Sequence, residues 1–186
     1  MKIALVGMPG GGKSTVGRLL ARQLGVAFVD TDEAIEARIG EPIRAFFERR
    51  GEDAFRDVES EVLAELLGER VGIFATGGGA VLREANRERL HAGATVLYLR
   101  ASPEDLFRRL RNDTQRPLLQ VADPLKKLRE LYAQRDPLYR RCAHYVLEMA
   151  RPSVHGLVNM ALMQLELAGI VDPGQVAATV GAEPLR

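Results

Sequence analysis

The run Gly7-Met8-Pro9-Gly10-Gly11-Gly12-Lys13-Ser14 constrains this chain more than any other feature. Glycine, four residues, then glycine-lysine-serine is the Walker A spacing. It lies between a β-branched run at residues 3–6 and a segment, 13–24, whose apolar Val16, Leu19, Leu20 and Leu24 recur at helical spacing. Strand, glycine-rich turn and helix in that order are the context this motif requires. The glycines let backbone N–H groups turn inward around phosphate oxygens, and the helix N-terminus adds partial positive charge. Lys13 is then expected to reach the β- and γ-phosphates of a nucleotide, and the Ser14 hydroxyl to ligate magnesium. Gly10, Gly11, Gly12 and Thr15 complete the expected nucleotide-binding turn.

The remaining pattern builds a sheet around that turn. Short aliphatic runs recur at 26–29, 71–75, 95–99 and 144–147, which makes five strands with the first. Segments of helical spacing separate them, among them Val58, Val62, Leu63, Leu66 and Leu67, then Val154, Leu157, Val158, Leu162 and Leu165. Strands that are apolar on both faces and alternate with helices predict an α/β fold, a parallel sheet covered on both sides. Ser102-Pro103 and Asp123-Pro124 signal helix starts, a capping side chain followed by proline in the first turn. Residues 111–120 are polar and basic without a period and read as a mobile lid. The chain of 186 residues is expected to form one domain over 1–168, with 169–186, rich in Gly, Ala and Pro, as a loose tail.

Composition narrows the partners. With 26 basic against 25 acidic residues the net charge is +1, which argues against a broad nucleic-acid footprint. The balance is uneven along the chain: residues 30–69 hold 13 acids and 5 bases, and 100–151 hold 12 bases and 7 acids. An anionic ligand is therefore expected toward the later stretch. A lone cysteine, Cys142, the absence of a charged leader and the lack of any long apolar run point to a soluble, cytoplasmic protein.

A phosphate cradle alone fits a GTPase, a motor or a small-molecule kinase. No Asn-Lys-x-Asp motif is present to read guanine, and the chain is too short to carry a domain that receives mechanical work. A small kinase is favoured. Asp30-Thr31-Asp32 follows the second strand, and Thr76-Gly77-Gly78-Gly79-Ala80 follows the third. Ligands of open α/β sheets bind at the carboxyl ends of strands, so both segments are expected in the crevice that holds the phosphates. Asp32 is open to a second reading, as the cap of a helix starting near Glu33. The three glycines imply a tight turn or a close approach of backbone.

These residues resemble the shikimate kinase family over about residues 1–168. The likeness is carried by Gly-Met-Pro-Gly-Gly-Gly-Lys-Ser-Thr-Val-Gly (7–17), Asp-Thr-Asp (30–32) and Gly-Glu-Asp-Ala-Phe-Arg-Asp-Val-Glu (51–59). It continues in Thr-Gly-Gly-Gly-Ala (76–80), Arg-Pro-Leu-Leu (116–119) and Arg-Asp-Pro-Leu-Tyr (135–139). The resemblance implies ATP- and magnesium-dependent phosphorylation of the 3-hydroxyl of shikimate, on the path to chorismate and the aromatic amino acids. It further implies a monomer of the nucleoside-monophosphate-kinase type, with five parallel strands in the order 2-3-1-4-5. By position, Asp32 becomes the partner of the shikimate hydroxyls and Asp30 an outer-sphere magnesium residue. Arg56 and Arg135 take the shikimate carboxylate, helped by the backbone of Gly78 and Gly79. Arg116 sits on the lid and reaches the phosphates, Arg109 stacks on adenine, and Arg151 with Pro152 closes its other side. The family commonly has Ser or Ala where this chain has Gly11, and residues 150–153 match it poorly.

Elementary chemistry agrees with those roles. A carboxylate is well held by planar guanidinium forks, each able to make two parallel charge-assisted hydrogen bonds. A basic side chain on a lid can swing over transferring phosphate and exclude water. Other readings stay open: Arg56 as an ion pair on a solvated helix, Arg135 as a helix C-terminal cap, Arg109 and Arg111 as ordinary surface residues. The rival enzyme is gluconate kinase or another small kinase on the same scaffold, and the rival class is a nucleotide-switched binding module. His91, His144 and His155 lie outside every motif.

Overall fold

The computed structural model describes residues 1–111, 121–148, 151, 153–172 and 174. Five parallel strands, β1 (Lys2–Val6), β2 (Phe28–Asp30), β3 (Gly72–Ala75), β4 (Thr95–Arg100) and β5 (Tyr145–Glu148), form one sheet in the order β2-β3-β1-β4-β5. Period-two alternation sends neighbouring residues of β1 to opposite faces. Ile3 and Leu5 pack with Val16 and Leu20 of α1 (Lys13–Leu24) and Leu157, Ala161 and Leu165 of α7 (Val154–Leu167). Ala4 and Val6 pack on the other face, against α3 (Ile43–Glu69), α4 (Glu84–Gly93) and α6 (Pro124–Cys142). Burial on both faces is why the strands are apolar throughout.

A smaller core of Ile35, Phe46, Phe55 and Val62 lies between α2 (Thr31–Ile39) and α3. Helix α3 is broken at Gly51, whose φ of 82° and ψ of 175° interrupt the helix. Helices α5 (Pro103–Leu110) and α6 start where the sequence predicts. Ser102 Oγ accepts from Asp105 N at 3.1 Å, and Asp123 Oδ1 accepts from Lys126 N at 3.1 Å.

Some boundaries differ from expectation for clear reasons. The apolar run at 26–29 predicts Val26 in a strand, but its N–H bonds Ala21 O while that of Gly25 bonds Arg22 O, so it finishes the α1 C-terminal cap. His144 is joined to Val96 by its own N–H and by its imidazole, ahead of β5, and its ring stacks on His91 at 4.1 Å. The loose tail does not start at Gly169: Ile170 N bonds Leu165 O, and Val171 is only 4% exposed against α1 and α7. Residues 175–186 and most of the expected lid, 112–120, lie outside the described residues. Among the described residues no helix is long and apolar enough to cross a membrane.

Candidate active site

The turn from β1 to α1, the C-terminal ends of β2 and β3 and the end of α5 enclose a cleft of about 420 Å³. Gly10 and Gly12 adopt φ of 80° and 85°, the left-handed region that favours glycine, and this aims the loop into the first turn of α1. The Gly11 N–H bonds Met8 O at 3.1 Å, so this glycine closes the loop on itself and does not line the cleft. Its φ is not positive, and an added β-carbon would come within 3.1 Å of Met8 O. Buried Lys13 directs Nζ to Gly7 O at 2.8 Å and Met8 O at 2.9 Å. A compact ammonium is thus held at the helix N-terminus.

Ser14 and Thr15 follow on the first turn of α1 and line the cleft. Ser14 Oγ donates to Asp30 Oδ2 at 2.6 Å, which ties α1 to the end of β2. The other Asp30 oxygen accepts from Asp32 N at 3.0 Å and Glu33 N at 3.4 Å. Asp30, the last residue of β2, is therefore the cap of α2. The capping role weighed for Asp32 falls to its neighbour because the helix begins at Thr31, directly after the strand. Asp32 is left free to face the cleft, and burial, then Asp30 and Glu59, push its carboxyl up to about 6 while Lys13 opposes them.

The glycines after β3 answer to close packing, since none of Gly77, Gly78 and Gly79 has positive φ. A β-carbon on Gly77 would lie 2.7 Å from Asp32 Oδ1, and one on Gly78 would lie 2.8 Å from Pro9. One on Gly79 would strike the Arg56 guanidinium. Thr31 Oγ1 accepts from Gly77 N at 3.2 Å and fixes the turn to α2.

Arg56 is no solvated surface pair. Its side chain is 11% exposed and donates from Nη1 to Glu59 Oε2 at 2.8 Å, with Glu59 3% exposed. A second, more exposed pair joins Nη2 to Glu52 at 3.4 Å. Burial holds Glu59 above the usual carboxylate range, although Arg56 and Arg135 act against it. Arg135 lies inside α6, seven residues before its end, so it does not cap the C-terminus. Tyr139, one turn later, donates to Gly78 O at 2.6 Å. Both Arg56 and Arg135 carry a buried Nε with no hydrogen-bond partner.

Arg109, exposed on α5, reaches Gly10 O at 3.5 Å and borders the cleft. Arg151 is exposed and is not among the residues that line the cleft; Arg116 and Pro152 lie outside the described residues. The arginines around the cleft and the turn after β3 come from both stretches of the chain, Arg109 and Arg135 from the basic one and Arg56 from the acidic one. Sequence reasoning passed over Glu59 and Tyr139 as site residues. Their signal was helical spacing, three residues after Arg56 and four after Arg135.

Comparison with known proteins places this arrangement. Residues 9–166 match the family model for shikimate kinase. A shikimate kinase of Paracidovorax citrulli is 56% identical over 176 residues, which cover 93% of this chain and 96% of that protein. The solved shikimate kinase of Acinetobacter baumannii, in complex with shikimate, has a TM-score of 0.84 at 43% identity, over 92% of this chain and 95% of that one. A gluconokinase of Sinorhizobium meliloti, 19% identical with a TM-score of 0.58 over 90% of this chain and 92% of its own, shares the fold alone. With a family model matched over most of its length and a relative more than half identical end to end, the chain belongs to the shikimate kinase family.

Proposed function

We propose that this enzyme transfers the γ-phosphoryl group of ATP to the 3-hydroxyl of shikimate, releasing ADP and shikimate 3-phosphate. The observation that carries the reading is the pair of buried, unpartnered Nε atoms on Arg56, whose guanidinium lies against Gly79, and on Arg135, one turn before the tyrosine that bonds Gly78 O. Glu59 and Tyr139 each feel the charge of both arginines. Arg56 pairs with Glu59 and, on its more exposed side, with Glu52, whereas Arg135 forms no ion pair among the described residues, so its guanidinium is the one best placed to be neutralised by a ligand carboxylate.

In this reading Asp32 accepts a hydrogen bond from the acceptor hydroxyl. The hydroxyl oxygen attacks the γ-phosphorus in line, the bond to the β–γ bridging oxygen breaks with its electrons going to ADP, and the proton passes to Asp32. Lys13 and, from the lid, Arg116 neutralise charge on the phosphates. Arg109, Arg151 and Pro152 would take the adenine, and the turn from Gly10 to Thr15 the phosphates. Ser14 and Asp30 offer hard oxygens 2.6 Å apart, and the described residues hold no cluster of three or more potential metal ligands. That suits magnesium, which is commonly held by one or two protein oxygens with phosphates and water. Bound there, it would neutralise phosphate charge. The single, buried Cys142 supports a reducing, cytoplasmic setting.

A coupled assay of ADP release tests the reading, with shikimate and gluconate offered separately at equal concentration. Release should depend on shikimate and stay near background with gluconate. Preference for gluconate, or ATP hydrolysis indifferent to either acceptor, contradicts it. Gly79→Ala supplies a steric check. The added methyl displaces the Arg56 guanidinium, and a lost charged hydrogen bond of about 1.5 to 3 kcal/mol corresponds to a roughly 10- to 100-fold higher KM for shikimate. The KM for ATP should stay within a few-fold, as steady-state kinetics will read.

A further inference from the structure

The Tyr139 hydroxyl joins two parts of the site that lie 61 residues apart in the chain. It donates to Gly78 O at 2.6 Å from the face of α6 that carries Arg135 one turn earlier. The charges of Arg135 and Arg56 restrain the rise that burial imposes on the same hydroxyl, which still stands at about 12. The ring itself is fully buried and packs on Tyr98, centroid to centroid at 5.0 Å. Tyr98 in turn donates to Asp136 Oδ1 at 2.8 Å, and Asp136 also accepts from Arg100 at 3.3 Å and from Arg140 at 3.0 Å. Helix α6 is therefore fastened twice within the turn that follows Arg135: to β4 through Asp136, and to the turn after β3 through Tyr139.

A buried phenol needs a polar partner, and many carbonyls would serve. This one belongs to a glycine whose backbone lines the cleft, and the phenol sits beside an arginine whose Nε is buried without a partner. A single hydroxyl thus binds one of the groups that must face one ligand together and stands one helical turn from the other, whose charge it feels. We propose that Tyr139 is a positioning residue: its hydroxyl holds the Arg135 guanidinium and the Gly78 backbone at a fixed separation, so that both meet the carboxylate end of the acceptor. The proposal rests on the shikimate reading above. It assigns Tyr139 no contact with the reacting atoms, so its loss should weaken acceptor binding and spare the chemical step.

Tyr139→Phe removes the hydroxyl and keeps the ring, so the core survives. The expected result is a KM for shikimate raised about tenfold, with kcat and the KM for ATP within about twofold of the wild type. Because Tyr139 acts through Arg135, adding Tyr139→Phe to Arg135→Lys should raise the KM by no more than about twofold beyond Arg135→Lys alone. A KM for shikimate unchanged in Tyr139→Phe, with only thermal stability lowered, overturns the proposal; so do effects of the two substitutions that multiply. If the wild-type protein does not phosphorylate shikimate at all, the functional reading fails, and the NMR signal of the Arg135 Nε–H decides the positioning role by itself. That signal should shift and exchange faster with water in Tyr139→Phe, and an unmoved signal overturns the proposal.

Discussion

Asp32→Asn will yield an enzyme that is nearly inactive and, above neutral pH, more stable than the wild type. Loss of a positioned general base typically costs about 100-fold or more in turnover. The amide keeps the shape of the side chain, and the α2 cap is untouched because Asp30 supplies it. Stability should move the opposite way to activity. The folded protein holds the Asp32 carboxyl up to about 6, chiefly through burial and then through Asp30 and Glu59, against an ordinary value of 3.8. A carboxyl raised on folding favours the folded state fully below its ordinary value, and that contribution is lost as pH rises through about 6. At pH 8 the ionised, desolvated Asp32 therefore costs the fold up to about 3 kcal/mol, which asparagine does not. Thermal melts at pH 8 should show the variant higher by several degrees, and the gap should close toward pH 4. In the wild type, kcat/KM should rise with pH through about 6 as the base ionises. A variant that keeps turnover within a few-fold, or melts lower at pH 8, contradicts the assignment.

Lys13→Ala carries the second large effect. Nζ is buried and fixed by two loop carbonyls, so alanine removes the positive charge proposed to face the phosphates and takes one donor from each of Gly7 O and Met8 O, the latter keeping the Gly11 N–H. Losing one charge-stabilising contact in a transition state costs about 2.7 to 4 kcal/mol, or roughly 100- to 1000-fold in turnover. A further sign follows from the field of Lys13. It lowers the Asp32 carboxyl, so without it that group rises further, and the pH at which residual activity appears should move upward. A pH-rate profile of the variant reads both effects; near-normal turnover, or an acid limb shifted downward, contradicts them.

These residues also show which parts of the architecture were legible in the sequence. The phosphate turn was plain because its pattern is contiguous and each glycine answers to local backbone geometry. The α/β class and strand order followed from apolar runs buried on both faces and from the family resemblance. Asp30 and Asp32 were harder. Either acid suits a cap, and the choice depends on the strand passing into the helix at Thr31 without an intervening residue. The glycines at 77, 78 and 79 advertised a close approach, but the groups approached, Asp32, Pro9 and Arg56, come from three other elements. Arg56 and Arg135 look solvent-facing in a polar sequence, and only the meeting of α3 and α6 with the β3 turn buries them. Residues 169–171 looked like tail because their composition is small and flexible, yet Val171 completes the α1–α7 side of the core.

Phosphorus NMR of a reaction of ATP, magnesium and shikimate with the purified protein tests the central claim most directly. The account predicts that γ-phosphate of ATP converts one for one into a phosphomonoester coupled to the proton on carbon 3 of shikimate. Inorganic phosphate as the sole product, or an ester on a different hydroxyl, would contradict it.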